Sequence, residues 1–197
     1  ARGTGTEAIG NIIAKREGIE FGERSYVPGS ENRIIAMMNG QIKATVVDLA
    51  NKNMLIAKAG DRFHVLPGLT EPASDELVFA SDAWLKDNRE TANIVVEELH
   101  KLWREMQANP AIIETERAKR NLLADQPKEI IAEVVPFYTE ATKEGVYAPL
   151  ENPQDVAKVD FLFYTEAGMM AGPADGLKVE EYWDLGPLDA AKKALGG

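Results

Sequence analysis

Apolar and polar residues alternate with two different periods along this chain, and the change between them organises the reading. Ile9, Ile12, Ile13 and Ala14 share one stripe at helical spacing, with Gly18 placed to end it, so the spacing predicts a helix over residues 6–17. Ser25-Tyr26-Val27 then predicts a short strand closed by Pro28-Gly29. Ile34, Ile35, Met37 and Met38 predict a second helix that Gly40 stops, and the methionines read as core. β-branched residues return over residues 42–47, and Phe63-His64-Val65-Leu66 and Leu77-Val78-Phe79 predict later strands. Strands alternating with short helices imply parallel pairing, with helices covering both faces of the sheet.

Beyond Ser81 the pattern becomes helical. Asn109-Pro110, Gln126-Pro127 and Asn152-Pro153 each put proline at a plausible first helical position, where it forfeits no intrahelical hydrogen bond, and Asn109 and Asn152 are suitable N-caps. The stripes Ile130, Ile131, Val134, Val135 and Val159, Phe161, Leu162, Phe163 supply buried faces, and Leu185-Gly186-Pro187 breaks the last segment. The organisation expected is an α/β lobe over residues 1–80 and a helical region over residues 81–197 packed on it. Only two residues precede the glycine-rich turn at Gly3, although such a turn normally follows a strand. The first strand and an upstream lobe are therefore expected outside this sequence.

Composition narrows the functions. With 197 residues, 45% of them hydrophobic, the chain can bury a core. Its net charge of -10 and the absence of a segregated basic patch exclude nucleic acid as a partner, because Arg117 to Arg120 are interleaved with Glu114 and Glu116 on what reads as a solvated helix face. No cysteine is present, which removes disulfides, thiolate nucleophiles and Cys-ligated zinc. No apolar run is long enough for membrane insertion, and no signal-peptide core is visible.

Few motifs carry chemistry. Gly3-Thr4-Gly5-Thr6-Glu7 has the Thr-x-x-Glu spacing of a capping box; it could equally bring a polar ligand to free N–H groups at a helix N-terminus, and both readings can hold together. Gly3, Gly5 and Ala8 also fit a loose dinucleotide pattern, but the following strand ends in Val27-Pro28-Gly29-Ser30 without the ribose-binding acid. Glu97-x-x-His100 lacks the second copy that a di-metal site needs, so His100 reads as a helix-surface residue and His64 as a packed one. Trp84, Trp103 and Trp183 read as core or inter-helix packing. Hydrolase elbows, Walker loops and zinc-protease motifs are missing, and neither a metal nor a cofactor is expected.

Gly-Thr-Gly-Thr-Glu at a helix start, then Tyr26-Val27-Pro28-Gly29-Ser30, then Ile35-Ala36-Met37-Met38-Asn39-Gly40-Gln41-Ile42-Lys43-Ala44-Thr45-Val46-Val47, resembles the second lobe of the nitrate/sulfonate/taurine-type solute-binding proteins of ABC transporters. The similarity runs on through Leu77-Val78-Phe79-Ala80-Ser81 into the helices after Trp84. It implies a type II periplasmic-binding-protein-like lobe with a small, mostly parallel sheet. It also implies an exported, periplasmic, non-enzymatic protein that closes on a small-molecule solute and presents it to the ABC transporter permease. Asp48-Leu49 departs from a tryptophan-containing strand end found in many members. Ligands of open sheets sit beyond the strand C-termini. That rule places the ligand-binding rim at Gly3, Thr4, Gly5, Thr6, Pro28, Gly29, Ser30, Asp48 and Asn51, with Glu7 and Asp48 able to favour a cationic or hydroxyl-rich ligand. The alternative is an effector-binding domain of a transcription regulator with the same fold. An enzyme similar to the pyrimidine synthases of thiamine biosynthesis fits less well, because two histidines and no cysteine leave little for its chemistry.

Overall fold

The structure, a computed structural model, describes residues 2–66, 73–74, 77–146 and 153–196. The helices follow in the order α1 (Gly5–Glu17), α2 (Ser30–Met38), α3 (Leu49–Ala59), α4 (Asp82–Asp87), α5 (Arg89–Ala108), α6 (Ile112–Lys119), α7 (Lys128–Ala132), α8 (Val134–Lys143), α9 (Pro153–Glu166) and α10 (Gly186–Ala194), with short 3-10 turns between some of them. Among the described residues there is no strand, and the expected α/β lobe with its sheet is overturned.

The expected strands at Ser25-Tyr26-Val27, residues 42–47, Phe63 to Leu66 and Leu77 to Phe79 are irregular segments outside any ladder. Their β-branched and aromatic residues favour a pleated, half-buried surface, yet such propensity reports packing against neighbouring strands more than an intrinsic backbone preference. Each of these segments has helices for sequence neighbours, and a lone strand leaves its backbone groups to water. Val65, Leu66, Leu77 and Val78 are exposed in consequence, and Phe79 is 93% exposed.

The chain divides into two compact units, each assembled from two stretches of sequence. The first comprises Ala1–Leu77 and Gln154–Glu181. Its core joins Ala8 and Ile12 of α1 to Phe163 of α9 and Ala167 just beyond it, with Ile9, Tyr164 and Met169 packed around them. Polar contacts fix the same seat: the Asn11 amide donates to the Ala167 carbonyl at 3.1 Å, and Arg16 grips Glu166 through Nε and Nη2, each at 2.7 Å. Gly18 ends α1 at φ +62° with its N–H on the Ala14 carbonyl, a left-handed cap that suits glycine. Asp160, only 6% exposed, accepts from the Ser74 backbone N–H at 2.7 Å.

The second unit comprises Val78–Pro153 and Tyr182–Gly197, and its main contact lays α10 along α5. Arg89 at the start of α5 pairs with Asp184 at 2.6 Å, and Arg104 near its end donates to the Leu195 carbonyl at 3.2 Å, so the two helices run in the same direction. Leu185-Gly186-Pro187 opens α10, with Pro187 buried in its first turn, and does not break a segment. Asn109-Pro110 likewise forms a turn before α6: Asn109 Oδ1 accepts from Ala111 N, and the helix begins at Ile112. Pro127 precedes α7 and Pro153 begins α9, while Asn152 and the side chain of Ile130 lie outside the described residues. His100, expected on a helix surface, is 3% exposed, whereas Trp84, expected to be packed, is 42% exposed.

Candidate functional site

The N-termini of α1, α2 and α3 carry every rim residue named from the sequence, and a run of hydrogen bonds joins them. At α1 the Glu7 carboxylate accepts from Gly3 N at 2.7 Å and from the Tyr26 hydroxyl at 2.9 Å. Those two bonds hold the Glu7 carboxyl below its ordinary range, with the Gly3 N–H the larger influence. The Arg2 guanidinium lies over the Tyr26 ring, 4.7 Å from its centroid. Tyr26 thus fastens the segment leading to α2 onto the start of α1.

This is half of the expected capping box, shifted by one residue. Glu7 reaches back to Gly3, where a standard box would reach its N-cap, and Thr4 makes no side-chain cap bond. The Thr4 hydroxyl pairs instead with that of Thr6 at 2.9 Å. Gly3 has φ +73°, a conformation in which the chain turns sharply enough to offer its N–H to Glu7. Gly5 is helical, and a Cβ built there meets only the Tyr164 hydroxyl, at 3.9 Å.

Arg33 organises the second element. From the first turn of α2 its guanidinium donates to the Val27 carbonyl at 3.2 Å, the Val46 carbonyl at 3.0 Å and the Ser30 hydroxyl at 2.6 Å. One side chain therefore spans the approach to α2 and the approach to α3, using the forked donors that lysine lacks. Gly29 precedes α2 at φ +80°, and a Cβ there would collide with the Glu31 carboxylate, so the position requires glycine twice over.

At α3, Asp48 caps the helix by accepting from Asn51 N at 2.9 Å, and the Asn51 amide also reaches its carboxylate. Partial burial pushes the Asp48 carboxyl up, but bonds from the Asn51 N–H, the Ser30 hydroxyl and the Asn51 amide outweigh it and hold the group below its ordinary range. Ser30 consequently accepts from Arg33 and donates to Asp48, which links α2 to α3.

Gly3, Thr4, Gly5 and Thr6 thus connect through Tyr26 and Arg33 to Pro28, Gly29 and Ser30, and onward to Asp48 and Asn51. Sequence reasoning named these segments but missed the side chains that join them. Arg33 offered one signal, a cation in the first turn of a helix, where the dipole disfavours it unless carbonyls surround it. Tyr164 offered none, since only the packing of α9 on α1 brings it near Gly5.

Elsewhere the chain offers less. Among the described residues no three His, Cys, Asp or Glu side chains are grouped to hold a metal ion. No helix of the described residues is long and apolar enough to cross a membrane. A shallow depression on α8, lined by Val135, Pro136, Thr139 and Lys143, is open to solvent and comes from a single helix. No protein-family model matches the chain, and neither a curated protein nor a solved structure is detectably similar to it.

Proposed function

We propose that this chain is the solute-binding component of an ABC transporter and holds a small polar solute at the joined N-termini of α1, α2 and α3. The observation that carries the reading is the hydrogen-bonded continuity of three distant segments through Tyr26, Arg33 and Ser30. Each segment ends at a helix N-terminus, where unpaired N–H groups and the dipole favour a ligand's acceptor atoms. Two of the three ends already hold a carboxylate, Glu7 or Asp48, while α2 has no side-chain cap. A fitting solute presents acceptor oxygens to α2 and hydroxyl or ammonium donors to Glu7 and Asp48. Purely anionic solutes meet two carboxylates and fit less well. Delivery to a permease and a periplasmic location rest on the sequence resemblance alone.

Calorimetric titration tests this with nitrate, an alkyl sulfonate, a protonated amine and a zwitterionic amino acid as probes. Saturable binding of a donor-bearing probe is expected, weakened at least about tenfold by Glu7→Gln or Asp48→Asn in a folded protein. Binding that both variants leave unchanged, or no binding by any probe, would remove the rim from the reading.

A further inference from the structure

The most anomalous group in the second unit is a histidine that its surroundings do not satisfy. His100 lies on the face of α5 that carries Ala92 and Met106, is 3% exposed, and has no hydrogen-bond partner for Nε2. Its ring packs edge-on against Trp103, with centroids 5.4 Å apart. The charges acting on it are both positive, Arg104 one turn further along α5 and Lys192 across the interface on α10. Among the described residues no carboxylate of α4, α6 or α8, the other helices packed on α5, offsets them.

A neutral imidazole is tolerable there, at the cost of an unmade hydrogen bond. An imidazolium is a third cation in a site without an acceptor, and a buried unpaired charge is far more costly than a buried neutral group. Both Arg104 and Lys192 belong to the interface itself: Arg104 holds the last carbonyl turn of α10 through Leu195, and Lys192 lies on α10. Repulsion from a charged His100 therefore acts directly on the elements that keep α10 in place.

We propose that His100 is an acid-sensitive latch, whose proton uptake releases α10 from α5. Burial, followed by the charges of Arg104 and Lys192, holds the imidazole below its ordinary value of 6.5. The unfolded or undocked chain then binds the proton more readily than the docked one. The interface is at full strength above about pH 6.5 and weakens as pH falls below it, by up to about tenfold per pH unit until the docked imidazole itself titrates.

Amide hydrogen exchange across residues 186–194, corrected for the intrinsic pH dependence of exchange, tests the latch at about pH 7.5 and about pH 5. In the unaltered chain, protection of these amides should fall by about tenfold or more at the lower pH, and Trp103 emission should change with it. His100→Phe removes the titrating group and should leave α10 protection the same at both values. Should that variant fail to fold, His100→Gln serves the same purpose, and an NMR titration of His100 in the unaltered chain needs no variant. Proton uptake on His100 without loss of α10 protection, or an equal loss in a folded His100→Phe or His100→Gln chain, overturns the latch.

Discussion

The rim of the first unit and the α5–α10 interface of the second handle the same problem in opposite ways. Both take ionisable side chains out of bulk water to some degree. At the rim, Glu7 and Asp48 keep their charge because backbone N–H groups, hydroxyls and an amide supply donors. At the interface, His100 has a donor or acceptor atom with no partner and two cations for company. The difference appears as pH sensitivity. A carboxylate held below its ordinary range contributes stability that is present above the unfolded value, 4.5 for Glu7 and 3.8 for Asp48, and lost only as pH falls through the folded one. The His100 contribution begins to fade near 6.5. Mild acid therefore loosens α10 while the rim is still intact.

Three substitutions sharpen this contrast, taken from the largest effect downward. Ile12 is fully buried where α1 seats on α9, and Ile12→Ala should cost about 2–5 kcal/mol. A thermal melt should show the loss, and the rim should fail together with its seat; a melt unchanged within error would show that hydrogen bonds alone hold α1. Next comes Gly29→Ala, which demands a positive φ of a residue with Cβ and displaces the Glu31 carboxylate. About 1–3 kcal/mol is expected in denaturant titration, with no change in the acid response of α10. A neutral result would mean that the turn before α2 relaxes freely.

The smallest effects separate the two caps. Asp48→Ala removes the bond to Asn51 N and should cost about 1 kcal/mol, whereas Thr4→Ala should stay within about 0.5 kcal/mol because its hydroxyl faces Thr6 and not the helix N–H groups. Equal losses in paired melts would restore Thr4 as a true cap and undo the shifted box described above.

These assignments show which physical signals a sequence displays. Helix ends governed by one residue were legible, as Gly18 and Gly40 show: a residue free to adopt positive φ after an apolar stripe is a local signal. The rim segments were also legible, since glycine, proline and small polar residues mark chain turns wherever they occur. The sheet was not, because Tyr26, Val46, Val65 and Val78 report only a preference for extended backbone, and pairing is a property of two segments. Reading strands from them assumed neighbours that the described residues do not supply. His100 was misplaced for a different reason. Attention to Glu97 beside it obscured the stripe Val96, Leu99, His100, Trp103 and Met106, whose helical spacing puts the histidine on the packed face of α5. Arg33 was missed because its carbonyl partners, Val27 and Val46, lie in irregular segments that no periodicity marks.

The bare extended segments around Val65 and Phe79 bear on the behaviour of the chain in concentrated solution. Exposed, apolar, unpaired backbone is a template on which a second copy can pair, edge to edge. Opposing this is a net charge of -10 on each copy, a repulsion that reaches about 10 Å at an ionic strength near 0.1 M and shrinks as salt is added. The colloidal stability of the protein is thus a contest between a short-range adhesive contact and a screened long-range force, and added salt shifts it toward association.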